Sequence, residues 1–150
     1  MPKIEKQIAV NAAPEQLFQV LQQFEAFSQF LPHVKSVQVV EHSAPTTVLD
    51  WVVVAPGVGV EVRWRSHYTI YPDEQRITFR PGGDALVQLT GEWRVQPTDT
   101  GSTLHATIDY EAKVPPIFAS VAQKAVDDII TSWLNGFKQR AEASHGEGGA

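Results

Sequence analysis

From Pro115 to Glu142, apolar side chains return every third or fourth residue: Phe118, Val121, Ala122, Ala125, Val126, Ile129, Ile130, Trp133 and Phe137. That spacing predicts a helix with one broad apolar face, and with Lys124, Asp127, Thr131, Asn135 and Lys138 opposite it. Pro115 and Pro116 suit its first turn, where a missing N–H costs little, and Lys138 and Arg140 complement its negative end. At ~1.5 Å per residue the helix runs roughly 40 Å, enough to cross a small domain. It needs cover along one side. The middle of its apolar face is small, built from Ala122, Ala125 and Gly136 with bulky residues on either flank. Short side chains there either admit a neighbouring backbone or leave room for a ligand, and the pattern alone leaves both readings open.

Upstream, the period changes. Lys3 to Val10 alternates and predicts a first strand. Pro14 starts a short amphipathic helix carrying Leu17, Phe18, Val20, Leu21 and Phe24, and a second short helix covers Glu25 to Phe30, ending before Pro32. From Val34 the chain turns to β character, with strands expected near 35–42, 47–55, 58–71, 75–80, 85–96 and 103–112. Turn residues separate them: Ala44-Pro45, Pro56-Gly57, Pro72-Asp73, Pro81-Gly82-Gly83 and Asp99-Thr100-Gly101. Short connections between consecutive strands make an antiparallel meander. In 85–95 the inward set is Ala85, Val87, Leu89, Gly91, Trp93 and Val95; in 103–112 it is Leu104, Ala106, Ile108, Tyr110 and Ala112. In 58–70 the even positions turn inward, including Val60, Val62, Trp64, Ser66 and Tyr68, while 47–55 is apolar on both faces.

The whole is α+β: a seven-stranded antiparallel sheet wrapped around the long last helix, with two short helices after the first strand. This is a helix-grip arrangement. Composition narrows the picture further. At 150 residues the chain makes one domain, expected over 1–143, and the polar, glycine-rich SHGEGGA from Ser144 is expected to be a disordered tail. An apolar content of 43% with 19% charged residues fits a globular protein, and the net charge of −5 argues against a nucleic-acid partner. Without cysteine, disulfides and thiolate metal sites are excluded. MPKIEKQIAV lacks a signal peptide's apolar run, and no stretch reaches the ~20 apolar residues of a membrane span. The expected location is cytoplasmic, with transient contact at a membrane surface left open.

The run from Pro14 to Val40, PEQLFQVLQQFEAFSQFLPHVKSVQVV, resembles the opening of polyketide cyclase/dehydrase-like proteins of the START/Bet v 1-like (SRPBCC) superfamily. The resemblance continues through LTGEWRVQPTDTGSTLHATIDYEAKVP (89–115) and FKQRAE (137–142), covering nearly the whole chain. Phe27-Ser28 departs from the family's usual aromatic followed by proline, a local change in the second short helix. The resemblance implies a helix-grip fold, in a superfamily dominated by proteins that bind small ligands, quinones among them.

Candidate chemistry is sparse. His33, His42, His67, His105 and His145 show no metal-ligand spacing, no phosphate loop opens a helix, and no nucleophile sits in a recognisable motif. No cofactor is expected. Trp64, Tyr68, Phe79, Trp93 and Tyr110 of the sheet, with Leu89 and Ile108, should face Phe118, Val121, Ala122, Ala125, Ile129 and Trp133 of the helix. Together with Ser66 they make either an aromatic core or an apolar cavity with a few polar groups, the usual form of a small-molecule site. The first expectation is a carrier for a lipid, an isoprenoid quinone or a polyketide-like aromatic. The second is a cyclase or dehydratase in which Tyr68, Tyr110 or Ser66 supplies acid/base groups, although an unperturbed tyrosine, near ~10, is a poor base. The third is a protein-interaction module.

Overall fold

Each strand's alternation finds its partner in the next. The computed structural model describes residues 3–57 and 59–148. The strands are β1 (Lys3–Val10), β2 (Val34–Ser43), β3 (Thr46–Val54), β4 (Glu61–Tyr71), β5 (Arg76–Pro81), β6 (Val87–Thr98) and β7 (Gly101–Ala112). They form one antiparallel sheet ordered β1-β7-β6-β5-β4-β3-β2. The meander from β2 to β7 is sequential, and β1 closes on β7 in full register, from Lys3 opposite Asp109 to Val10 opposite Ser102. Two short helices, α1 (Pro14–Val20) and α2 (Phe27–Phe30), follow β1, and α3 (Ala119–Gly148) closes the chain. The backbone of 144–148 continues this helix where the sequence suggests a loose tail; 149 and 150 of that tail lie outside the described residues.

The concave face of the sheet holds the core. Tyr68, Phe79, Leu89, Trp93, Val95, Leu104, Ala106, Ile108 and Tyr110 are all buried, as the parity of their strands requires. Gly91 of β6 is fixed by proximity rather than by a turn: a Cβ there would run into the Thr107 carbonyl oxygen of β7. No side chain fits at this position.

The helix α3 is two halves in one element. Val126, Ile130, Trp133, Leu134, Phe137 and Ala141 are buried at helical spacing, whereas Val121 in its first turn, and Ile117 and Phe118 just before it, are exposed. The axis lies nearest β1, β7 and α1, and has few close approaches to β3 and β4. Glu142 accepts from the Asn11 backbone N–H (2.8 Å) and pairs with Lys138, which also donates to the Ala9 carbonyl (2.9 Å). These bonds tie the far half to the end of β1. The near half leans over open space.

Candidate functional site

The open space is a cavity of about 260 Å³ between α3 and the β3–β4 side of the sheet. The sheet contributes Val53 and Ala55 from the end of β3, Val60, Val62 and Trp64 around the start of β4, and Leu86, Val87 and Leu89 around the start of β6. Ala112 and Val114 close one flank, and Phe118, Val121, Ala122, Ala125, Val126, Ile129 and Trp133 come from the entry to α3 and the helix itself. Every one of these side chains is aliphatic or aromatic. Val53 (1% exposed), Trp133 (2%) and Leu89 (6%) stand at the closed end, and Val60 (51%), Phe118 (53%) and Val121 (51%) stand at the mouth.

An aromatic stack forms the cavity's inner wall. Trp51 lies between Trp64 (ring centroids 5.6 Å apart, planes within 7°) and Trp133 (5.1 Å). The Trp133 indole N–H donates to the Pro32 carbonyl at 3.2 Å, while the buried Trp51 N–H has no partner among the described residues. Stacking of this kind contributes ~0.5–1.5 kcal/mol per pair beyond what the buried area of the rings supplies.

The family described as "Polyketide cyclase / dehydrase and lipid transport" matches residues 1–142. The chain belongs to this family. Among solved structures, this polyketide cyclase/dehydrase family member is similar to TTHA0849 from Thermus thermophilus (24% identity, TM-score 0.87, 95% of this chain and 99% of that one). It is also similar to the Zhui aromatase/cyclase from Streptomyces sp. R1128 (20%, TM-score 0.84, 94% and 93%). A third is the STAR-related lipid transfer protein from Xanthomonas axonopodis, as its fragment 25–204 (17%, TM-score 0.74, 93% and 85%). At these identities the likeness shows the START-like fold, which an aromatase/cyclase and a lipid transfer protein share.

Within this family member, the fourteen side chains expected around a ligand divide by position. Trp64, Leu89, Phe118, Val121, Ala122, Ala125, Ile129 and Trp133 line the cavity. Ser66, Tyr68, Phe79, Trp93, Ile108 and Tyr110 do not; they lie buried beyond its wall. Tyr68 stacks on Phe79 (5.3 Å) and meets the edge of Phe24 (5.5 Å), and Trp93 meets Phe137 (5.2 Å). The phenylalanines of the α1–α2 region fill that end of the concave face. Burial pushes the Tyr68 hydroxyl far above a tyrosine's ordinary value, against a hydrogen bond from Trp93 that acts the other way. Tyr110 is also raised, by burial first and then by the nearby Asp127 carboxylate. Neither shift makes a better base at neutral pH.

Sequence reasoning left out Trp51 as the centre of the stack, because β3 is apolar on both faces and its parity gives no sign of which is inside. Val60, Val62 and Val87 carried an inward parity yet were not singled out, although Leu89 and Ile108, of the same aliphatic kind, were. Among the described residues, no cluster of acidic or histidine side chains could hold a metal, and no helix is long and apolar enough to cross a membrane.

Proposed function

We propose that this protein binds a hydrophobic small molecule in the cavity between α3 and the sheet. The observation that carries the reading is the lining: seventeen side chains, all Val, Ala, Leu, Ile, Phe or Trp, around a preformed space with an exposed apolar mouth. An apolar hole of ~150 Å³ in a protein stays dry and takes benzene, and sites for drug-sized ligands run to ~300–1,000 Å³. A cavity of about 260 Å³ falls between them. It suits a short chain or a compact ring system. A cyclase or dehydratase working in the same space needs a proton donor or acceptor at its wall. Tyr68, Tyr110 and Ser66, the side chains nearest that description, stand outside the lining. The arrangement favours holding a ligand over transforming it.

Ala125→Leu tests the reading. The larger side chain fills the space beside Val121 and Ile129, so the protein stays folded and loses its affinity for an apolar fluorophore such as N-phenyl-1-naphthylamine. A folded variant that bound the fluorophore as tightly as the parent would overturn the proposal. Mass spectrometry of an organic extract of freshly purified protein identifies what the cavity carries.

A further inference from the structure

We propose that the ligand is a single-ended amphiphile, with a hydrocarbon body enclosed in the cavity and its polar group left at the gap between the β3–β4 loop and α3. The inference rests on the cavity being a binding site and adds what kind of molecule it takes. Two observations carry it. The closed end, at Val53, Leu89, Val126 and Trp133, offers a ligand no carboxylate, amide, hydroxyl or ammonium group. The one indole N–H among these four residues is already given to the Pro32 carbonyl. A hydroxyl carried to that end would lose its water and gain no partner.

The second observation lies at the gap. A shallow groove outside it is lined by Pro56, Gly57, Ser120, Lys124 and Asp128, and it shares Val121 and Ala125 with the cavity. Val121 and Ala125 therefore form a sill, with only apolar side chains on its inner side and with Ser120, Lys124 and Asp128 within reach on its outer side. Lys124, largely in water, pairs at 3.1 Å with the half-exposed Asp128, so a polar end resting there keeps contact with water and meets both charges. A molecule with hydroxyls or carbonyls distributed along its length has no such place for them. The arrangement selects for polarity at one end.

Matched probes test this on the full chain by displacement of N-phenyl-1-naphthylamine. 1-Decanol should bind, and 1,10-decanediol, of the same length with a second hydroxyl at the far end, should bind roughly ten- to a hundredfold more weakly. Val53→Thr places a hydroxyl at the closed end and should narrow that gap; Val126→Thr serves the same purpose if the first variant does not fold. Lys124→Glu should weaken decanoate several-fold at low salt while leaving 1-decanol unchanged. Diol and alcohol binding within a factor of two of each other would overturn the inference while leaving the binding function intact. An equal effect of Lys124→Glu on decanoate and decanol would overturn the placement of the polar end. Failure of both decanol and the fluorophore to bind would remove the binding reading and this inference together.

Discussion

The three small residues at the centre of the α3 face are small for opposite reasons. At Gly136 a Cβ would stand 2.8 Å from the Phe30 carbonyl oxygen and 2.9 Å from a Leu31 methyl, so the helix meets the end of α2 backbone to backbone. At Ala122 and Ala125 the same face borders the cavity. A helical wheel shows all three alike, because it records the direction of a side chain and not what lies beyond it. The contrast is measurable. In an uncrowded helix, glycine to alanine stabilises by about 1 kcal/mol. At Gly136 the contact is with a carbonyl oxygen that cannot swing aside, and overpacking of this kind costs ~1–3 kcal/mol. Gly136→Ala is therefore expected to destabilise by up to about 2 kcal/mol net, read as a lower urea midpoint; a gain in stability would show that the α2 backbone gives way. Trp133→Ala removes a ring stacked on Trp51 and a hydrogen bond to Pro32. The ring also borders empty space, which places the expected loss near the lower end of the ~3–5 kcal/mol for such truncations. Trp133→Phe keeps the ring in the wall and loses the bond, so chemical denaturation of both variants separates the two contributions.

At the scale of elements, α3 is legible from sequence as a single amphipathic helix, and its division into a packed half and an open half is not. Periodicity reports that a face is apolar, while the choice between burying that face and exposing it to a cavity depends on where α1 and α2 sit. The same gap explains Tyr68, Phe79 and Trp93. Strand parity placed Tyr68 and Trp93 on the concave face correctly, and both are buried there together with Phe79. It did not say which end of the sheet Phe24 and Phe27 would cover, and that end is theirs. What holds α3 in place is local and charged. Lys138 holds the Glu142 carboxyl below its ordinary value, helped by the Asn11 N–H, with burial acting weakly against both. A depressed folded-state value means that the contribution is complete above the unfolded value, ~4.3, and is lost as pH falls through the folded one. Glu142 retains about 30% of its side-chain exposure, so the pair belongs with partly screened ion pairs worth at most ~1 kcal/mol. Glu142→Gln is expected to lower stability by up to about that amount at pH 7 in low salt, with the difference from the parent shrinking below about pH 4. Urea denaturation at pH 7 and pH 3.5 checks it, and a difference that persists undiminished at the lower pH would assign the effect to packing.

For the molecule as a whole, the antiparallel sheet and the helix across it were written in the alternation of 85–95 and 103–112 and in the length of the last apolar stripe. The cavity was not, because it is a consequence of how far the helix leans toward β1 and β7, and no single residue encodes that lean. Its energetic meaning follows from the same geometry. A cavity wall lacks packing partners on one side, and an apolar ligand supplies them, so binding stabilises the folded state alone. At a hundredfold excess over its Kd, a one-site ligand adds ~2.7 kcal/mol, and for a domain of this size each kcal/mol moves Tm by ~2–4 °C. Saturation with 1-decanol or N-phenyl-1-naphthylamine is thus expected to raise Tm by roughly 5–10 °C in the parent and to leave Ala125→Leu unmoved. A shift in Tm alone does not say where the ligand sits, and hydrogen exchange supplies the location. Amides of the near half of α3, up to Ile129, and those of Ala55, Gly57, Gly59 and Val60 should gain protection on binding. The far half, already buried around Ile130, Leu134 and Phe137, should change little. Protection gained evenly along the helix would indicate global stabilisation by a ligand bound elsewhere, and the cavity would lose its claim to be the site.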